Sequence, residues 1–291
     1  MVMKTSKGQK IFDIFNYTFL ILAALTMVLP LINLIAVSFS GPIPAESMEV
    51  FLIPIDFTTA AWREILYNTV LWKSFGITVF ITVVGTFLSL LFTVLTAFPL
   101  SRKEFLLRKP IMFAIVMTMI FNAPMIPFFL TVRGVGLMDS IWSLIIPGLI
   151  SAFNMVIVRT FFMGIPSDLD DAAKIDGCHD FRLLFQIYLP LSKPVLATIG
   201  LFYAAKYWNT FKDALLFIRN QNLWPLQIRL RSYFEEPEEL AAVDFILGDY
   251  DYNTTTLKAA TIIFAVVPIL LVYPYLQKYF VKGAQLGSLK G

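Results

Sequence analysis

Between Ser167 and Pro190 the sequence reads SDLDDAAKIDGCHDFRLLFQIYLP, a charged passage in a chain that is 58% hydrophobic and 15% charged. Asp168, Asp170, Asp171, Asp176 and Asp180 stand there beside Cys178, the one cysteine, and His179, the one histidine. A single Cys allows no internal disulfide and no cysteine cluster for zinc or iron, and a single His allows no His-rich metal site. A redox or pH switch would need a partner thiol or clustered imidazoles, so packing or surface roles are expected for Cys178 and His179. A second group of polar residues lies in an apolar stretch, PVLATIGLFYAAKYWNTFKDALLFI, which carries Lys206 and Asp213. An intramembrane protease or glycosyltransferase needs a catalytic pair at membrane depth. With His179 and Cys178 in a loop and Asp213 the one candidate carboxylate near that stretch, the parts are missing. No Gly-x-x-x-x-Gly-Lys-Ser/Thr pattern occurs either, so the chain carries no P-loop for a nucleotide. The expectation is a protein that is not an enzyme and has no catalytic, metal-binding or cofactor-binding residues of its own.

The elements that position these residues are membrane spans. The chain has 291 residues and 28 Phe, with a mean hydropathy of +0.74, and its apolar runs match a hydrocarbon core of roughly 30 Å. Six spans are expected at Ile11–Ser38, Ser74–Leu100, Pro110–Val132, Ile141–Met163, Pro194–Ile218 and Leu257–Phe280. The runs are continuously apolar and lack period-two alternation, which argues against strands. The first is too long for a signal-peptide core and reads as a retained helix. Fourteen Lys and Arg residues fall on the side of the N-terminus and of the 164–193 loop, against seven on the other side. The richer side is expected to be cytoplasmic. The organisation is thus an all-α polytopic membrane protein: a cytoplasmic N-terminus over 1–10, a six-helix transmembrane domain over 11–280, and a cytoplasmic tail over 281–291.

In the loop, Ser167 reads as an N-cap with Asp170 three residues on as a capping-box variant. Asp168, Asp170 and Asp171 fall in the first turn, where the helix dipole favours negative charge. Asp176-Gly177 breaks the helix, since Gly takes a left-handed turn without strain. Phe181, Leu184, Phe185 and Tyr188 then recur at i, i+3, i+4 and i+7, one apolar face of a second short helix, which Pro190 and Pro194 end. An amphipathic helix lying in lipid headgroups would show this pattern. The acidic cluster would then face an anionic leaflet, which is unfavourable, and a partner protein with a basic or apolar groove suits the pattern better.

DDAAKIDGCHDFRLLFQIYLP resembles the E-A-A loop of bacterial ABC importer permeases, in which E-A-A, two residues, D-G, an aromatic run and I-x-L-P follow in order. Ala172, Ala173, Asp176, Gly177, Phe185, Ile187, Leu189 and Pro190 match it, and Asp171 stands where the family has Glu, one methylene shorter. The stretches TAFPLSRK, APMIPFFLTVRGVGLMDSIWSLIIP, YWNTF and KYFVKGAQLGSLKG resemble the carbohydrate-uptake branch, so the similarity covers nearly the whole chain. The resemblance implies a type I ABC importer permease fold in a bacterial cytoplasmic (inner) membrane. It also implies that the loop is a coupling helix seated in an ATPase subunit, with Asp171, Ala172, Ala173, Asp176, Gly177, Phe181, Phe185, Tyr188 and Pro190 as its coupling residues. The partners implied are a second homologous permease, two ATPase subunits carrying ATP-Mg, an extracytoplasmic solute-binding protein, a sugar and membrane lipid, with no nucleic acid.

Lys206 lies twelve residues beyond Pro194, about 18 Å at helical rise and near the bilayer middle. Tyr203, Lys206, Asn209, Thr210 and Asp213 fall on one helical face. Two readings stand: a polar stripe lining the solute path, or structural glue in the form of an interhelical hydrogen-bond network or a Lys–Asp pair with another subunit. Trp208, and Asn122 and Asn154 in the third and fourth spans, are further path candidates, although intramembrane Asn also bridges helices. Pro124, Pro127 and Pro147 either kink helices around a cavity or are tolerated irregularities. A mid-membrane Lys points to an acidic oligosaccharide. An ion-coupled secondary transporter would also use buried Lys and Asp, but it leaves the loop unexplained and the six spans show no clear inverted repeat.

Overall fold

The computed structural model describes residues 7–121, 123–235 and 251–288, and all regular structure among them is helical. Two compact units result, one built from residues within 1–69 and 230–268, the other from residues within 70–229 and 269–291.

In the first unit, α1 (Lys7–Ser38) leaves Ile11, Phe15 and Phe19 exposed. An apolar surface of this kind is stable with lipid as its solvent, since the helix satisfies its own backbone. The segment after it, with α2 (Pro42–Glu46) and α3 (Ala60–Tyr67), is tied back by polar side chains at the end of α1. Trp62 Nε1 donates to Ser38 Oγ (3.1 Å), the Ile55 amide to Ser40 Oγ (3.1 Å), and Asn33 Nδ2 to the carbonyls of Val50 (3.0 Å) and Phe51 (2.8 Å). The last helix, α15 (Thr254–Ser288), opens on a reciprocal cap. Asn253 Oδ1 accepts the Thr256 amide (2.9 Å) and Thr256 Oγ1 accepts the Asn253 amide (3.0 Å), which satisfies two otherwise orphaned donors.

The second unit runs through α4 (Thr69–Ser101), α5 (Arg108–Ile120), α6 (Met125–Gly134), α7 (Trp142–Ile145) with a 3₁₀ turn over Ile146–Gly148, and α8 (Ala152–Met163). There follow α9 (Asp168–Ile175), α10 (Asp180–Leu183), a π turn over Leu184–Tyr188, α11 (Leu189–Leu191), α12 (Lys193–Trp208), α13 (Lys212–Phe217) and α14 (Leu226–Glu235), the last of which runs past the unit's edge. α4 buries Ser74, Thr78, Gly85, Ser89, Thr93 and Ala97, a row of small residues that lets another helix approach closely. That helix is α12. A Cβ on Gly85 would stand 2.8–2.9 Å from the Tyr207 ring, and one on Gly200 would stand 3.3 Å from Leu90 Cδ1.

Helices α1, α4 and α15 are each long and apolar enough to cross a membrane over Gly8–Ser38, Thr69–Ser101 and Thr254–Val272. The other expected spans are interrupted. The run read as Pro110–Val132 is two helices: α5 stops at Ile120, and α6 restarts at Met125 with Pro124 extended (φ −58°, ψ 151°) as its N-cap. The run Ile141–Met163 bends by 49° between Gly148 and Ala152, where Pro147 removes an amide donor. The run Pro194–Ile218 ends as α12 at Trp208 and resumes as α13 at Lys212. Beyond α6, Asp139 (φ +54°) clamps two loops: its carboxylate accepts the amides of Asn220 (3.0 Å) and Arg219, and its own amide donates to Phe217 O (2.9 Å). Those backbone donors hold the Asp139 carboxyl below its ordinary range.

Candidate functional site

The 164–193 loop is built around one glycine. Asp176 caps α9, Gly177 takes φ +72°, the Cys178 amide donates to Ala173 O (2.9 Å), and the Gly177 amide donates to Lys174 O (3.0 Å). This pair of bonds is a Schellman ending, which requires the left-handed residue that Gly adopts at least cost. The chain leaves the turn through His179, extended (φ −82°, ψ 161°), whose Nδ1 accepts the Arg182 amide (3.3 Å) and so caps α10. The combined helix Asp180–Leu191 then meets α12 at 84°.

One side of this loop faces outward. Ile175 is 86% exposed, Phe181 66% and Phe185 49%, with Leu169 also exposed. The other side is buried. Ala173, Leu183, Leu184 and Tyr188 join the core, and so does the carboxylate of Asp170. Tyr188 Oη donates to Asp170 Oδ1 (3.0 Å) and Oδ2 (3.2 Å), and Asp170 is ion-paired with Arg102, just past the end of α4. The Arg102 guanidinium lies 4.6 Å from the Phe98 ring centroid and 4.8 Å from that of Tyr188. Phe98, Phe162 and Tyr188 meet edge to face at 5.1–6.4 Å. Burial pushes the Tyr188 phenol from 10.0 up to about 12, which keeps it a donor.

The second cluster lies where α7 and α8 break. Non-helical backbone at membrane depth must find partners from neighbouring helices, and three residues of α12 at i, i+3 and i+4 supply them. Tyr203 Oη accepts the Ser151 amide (2.9 Å) and shares a hydrogen bond with Thr93 Oγ1 (2.7 Å). Lys206 Nζ donates to Gly148 O (2.7 Å). Tyr207 Oη bonds Ser89 Oγ (2.8 Å) and donates to Ile145 O (3.4 Å). Lys206 thus sits at the carbonyl end of a helix, where the dipole favours a cation, and its ammonium lies 5.2 Å from the Tyr207 ring centroid.

Residues 85–285 match the family model described as binding-protein-dependent transport system inner membrane component. The chain belongs to this family. It is 44% identical to the polygalacturonan/rhamnogalacturonan transport system permease protein YtcP of Bacillus subtilis (strain 168), over 97% of this chain and 99% of the relative. It is 39% identical to protein LplC of the same organism, over 99% and 98%. It superposes with a TM-score of 0.89 and 35% identity on a crystal structure of a bacterial ABC transporter involved in the import of the acidic polysaccharide alginate, covering 96% of this chain and 100% of that one. The fold is that of a type I ABC importer permease. The permease is a multi-pass inner-membrane subunit and not an enzyme; its family binds no cofactor itself and works in general with a partner permease, an ATPase and a binding protein.

Within the permease, several residues stand differently from the sequence expectation. Phe181, Leu184, Phe185 and Tyr188 do not share one face, because the π turn over Leu184–Tyr188 changes the helical phase; Leu184 and Tyr188 turn inward while Phe181 and Phe185 stay out. Ala173 is buried beside them, whereas Asp171, Ala172, Asp176, Gly177 and Pro190 are exposed. Ser167 takes helical dihedrals (φ −65°, ψ −23°) and makes no side-chain cap. The face Tyr203–Asp213 is interrupted, since Asn209 ends α12 and bonds Ala205 O through Nδ2 (2.8 Å). Tyr203, Trp208 and Asn154 are buried, Lys206 and Asn209 are exposed, and Asp213 is half-buried. Asn122 lies outside the described residues.

The phenol shift has a testable sign. Below pH 10 both folded and unfolded chains keep the Tyr188 proton and its contribution is whole. Between pH 10.0 and about 12 the unfolded chain ionises while the folded one resists, so stability falls as pH rises through that window. Thermal unfolding of the detergent-purified permease is expected to lose less across this window in Tyr188→Phe than in the wild type; equal slopes contradict the assignment.

Proposed function

We propose that the permease imports oligosaccharides bearing uronate-type carboxylates, with both termini cytoplasmic. A second homologous permease, two ATPase subunits carrying ATP-Mg and an external solute-binding protein complete the transporter. The orientation rests on the excess of Lys and Arg on the side of the 164–193 loop. The coupling loop presents Asp171, Ala172, Asp176, Phe181 and Phe185 to the ATPase, with Gly177 setting the angle, Ala173 and Tyr188 holding the loop to the spans, and Pro190 leading it toward α12. ATP-driven closure of the ATPases moves these loops together and carries the spans from inward-facing to outward-facing.

The observation that carries the cargo reading is Lys206. The residue is exposed on α12, near the middle of an interrupted span, and its ammonium has three donors, of which the bond to Gly148 O uses one. A cation at membrane depth is costly unless it is hydrated or paired, and a sugar carboxylate is a complementary charge that would pair it. The names of YtcP and of the alginate transporter support the same class of cargo. Asn209 and Asp213 are assigned to the path beside Lys206, and Tyr203, Trp208 and Asn154 to its wall; Asn122 is proposed as a path residue from its place in the sequence alone.

The test is uptake of a galacturonate trimer and of a neutral trimer of equal length by Lys206→Met, at matched membrane levels. Loss of one charge-assisted hydrogen bond predicts about a tenfold greater loss for the acidic trimer. Equal loss for both would remove the charge argument.

A further inference from the structure

A loop pushed from outside moves a helix bundle only if more than one joint holds it. The coupling loop has a hinge at Gly177 and an 84° bend into α12; with these alone, a push on Phe181 or Phe185 would swing the loop about α12 and leave α4 where it is. α10 does not close the gap by packing. A cleft of about 720 Å³ opens between it and α4, lined by Leu95, Pro99, Phe181 and Leu184 and bordered by Phe98 and Arg102. Two contacts bridge the sides: the Phe98 ring of α4 meets Tyr188 edge to face (5.1 Å), and a largely buried polar joint links Arg102 past the end of α4, Asp170 in α9 and Tyr188 in the π turn. The Arg102 and Asp170 side chains are 15% and 12% exposed. α8 is drawn in as well, because Arg159 Nε donates to Leu100 O (2.8 Å) and Phe162 packs on Tyr188.

We infer that Arg102, Asp170 and Tyr188 are positioning residues that transmit coupling-loop displacement to α4, so that ATP hydrolysis is converted into movement of the spans rather than of the loop alone. The inference deepens the coupling reading and rests on it. A half-buried ion pair is a poor source of net stability, yet it is stiff and directional. The Tyr188 hydroxyl bonded to both carboxylate oxygens fixes the rotamer that the pair requires. The acidic residue in this role is Asp170, one position before the residue that aligns with the family's Glu.

The experiment uses the whole transporter in proteoliposomes, with the galacturonate trimer as cargo, and reads three quantities: ATPase retained on purification, ATP hydrolysed, and trimer imported. Asp170→Asn is expected to retain the ATPase and its hydrolysis while raising the ATP consumed per trimer about tenfold, the loss of one charge-assisted bond; Asp170→Glu, which keeps the charge, restores most of the ratio. Tyr188→Phe keeps the ring and removes only the hydroxyl, so it assembles even if Asp170→Asn does not, and it is expected to raise the ratio about threefold. An unchanged ratio in the assembled variants, with the ATPase bound, overturns the joint alone. A wild-type complex that retains no ATPase overturns the coupling reading and the joint with it.

Discussion

Valine in place of Gly85 is expected to abolish uptake while the coupling loop still holds its ATPase. The position lies in the row of small residues along α4, against the Tyr207 ring, and the first added carbon would stand 2.8–2.9 Å from three ring atoms. The ring cannot step aside without breaking its hydroxyl's bonds to Ser89 and Ile145 O. Those bonds, with Lys206 on Gly148 O and Tyr203 on the Ser151 amide, satisfy the broken backbone between α7 and α8. Overpacking costs about 1–3 kcal/mol, and here it also uncovers buried carbonyls. Uptake should fall at least about tenfold for Gly85→Ala and beyond detection for Gly85→Val. Wild-type uptake by Gly85→Val, at matched membrane levels, would contradict the packing of α12 on α4.

Gly177→Val should have the second-largest effect, for a different reason. A side chain here meets open space, since no atom lies within 4 Å of an added Cβ. The whole cost is backbone conformation at φ +72°, about 1–2 kcal/mol for a residue with a Cβ. That is enough to depopulate the Schellman turn and misaim the outward face of Phe181 and Phe185. The ordering is diagnostic: Gly177→Asn should transport best, Gly177→Ala less and Gly177→Val least, because Asn tolerates the left-handed region. Uptake and uptake-coupled hydrolysis that are normal in Gly177→Val would show that the turn does not set the loop's angle.

These two glycines also mark how far the sequence can be read. Asp176-Gly177 announces its turn locally, because the left-handed residue and its hydrogen bonds involve only neighbours in the chain. Gly85 gives no such signal: in a run this apolar, the spacing of Ser74, Thr78, Gly85, Ser89 and Thr93 is visible, but which helix it admits is decided elsewhere. Tyr188 was legible as an aromatic on a helix and not as a buried donor, because one π turn shifts the phase on which helical-face arguments depend. Asp170 reads in the sequence only as a capping-box residue, because the Arg102 that pairs with it comes from 68 residues away. His179 as an N-cap had no type-based signal, since Ser, Thr, Asp and Asn are the usual caps. The break in the fourth span was hinted at by Pro147, but the three side chains that repair it lie on another helix.

The central claim is that the outward side of the 164–193 loop is seated in an ATP-hydrolysing chain. Photocrosslinkers at Ala172 and Phe181, both exposed, and at buried Ala173 as a control, test it in cells that are importing sugar. Adducts with the ATPase are expected from Ala172 and Phe181 and none from Ala173. Active import with no ATPase captured from either exposed position would contradict it.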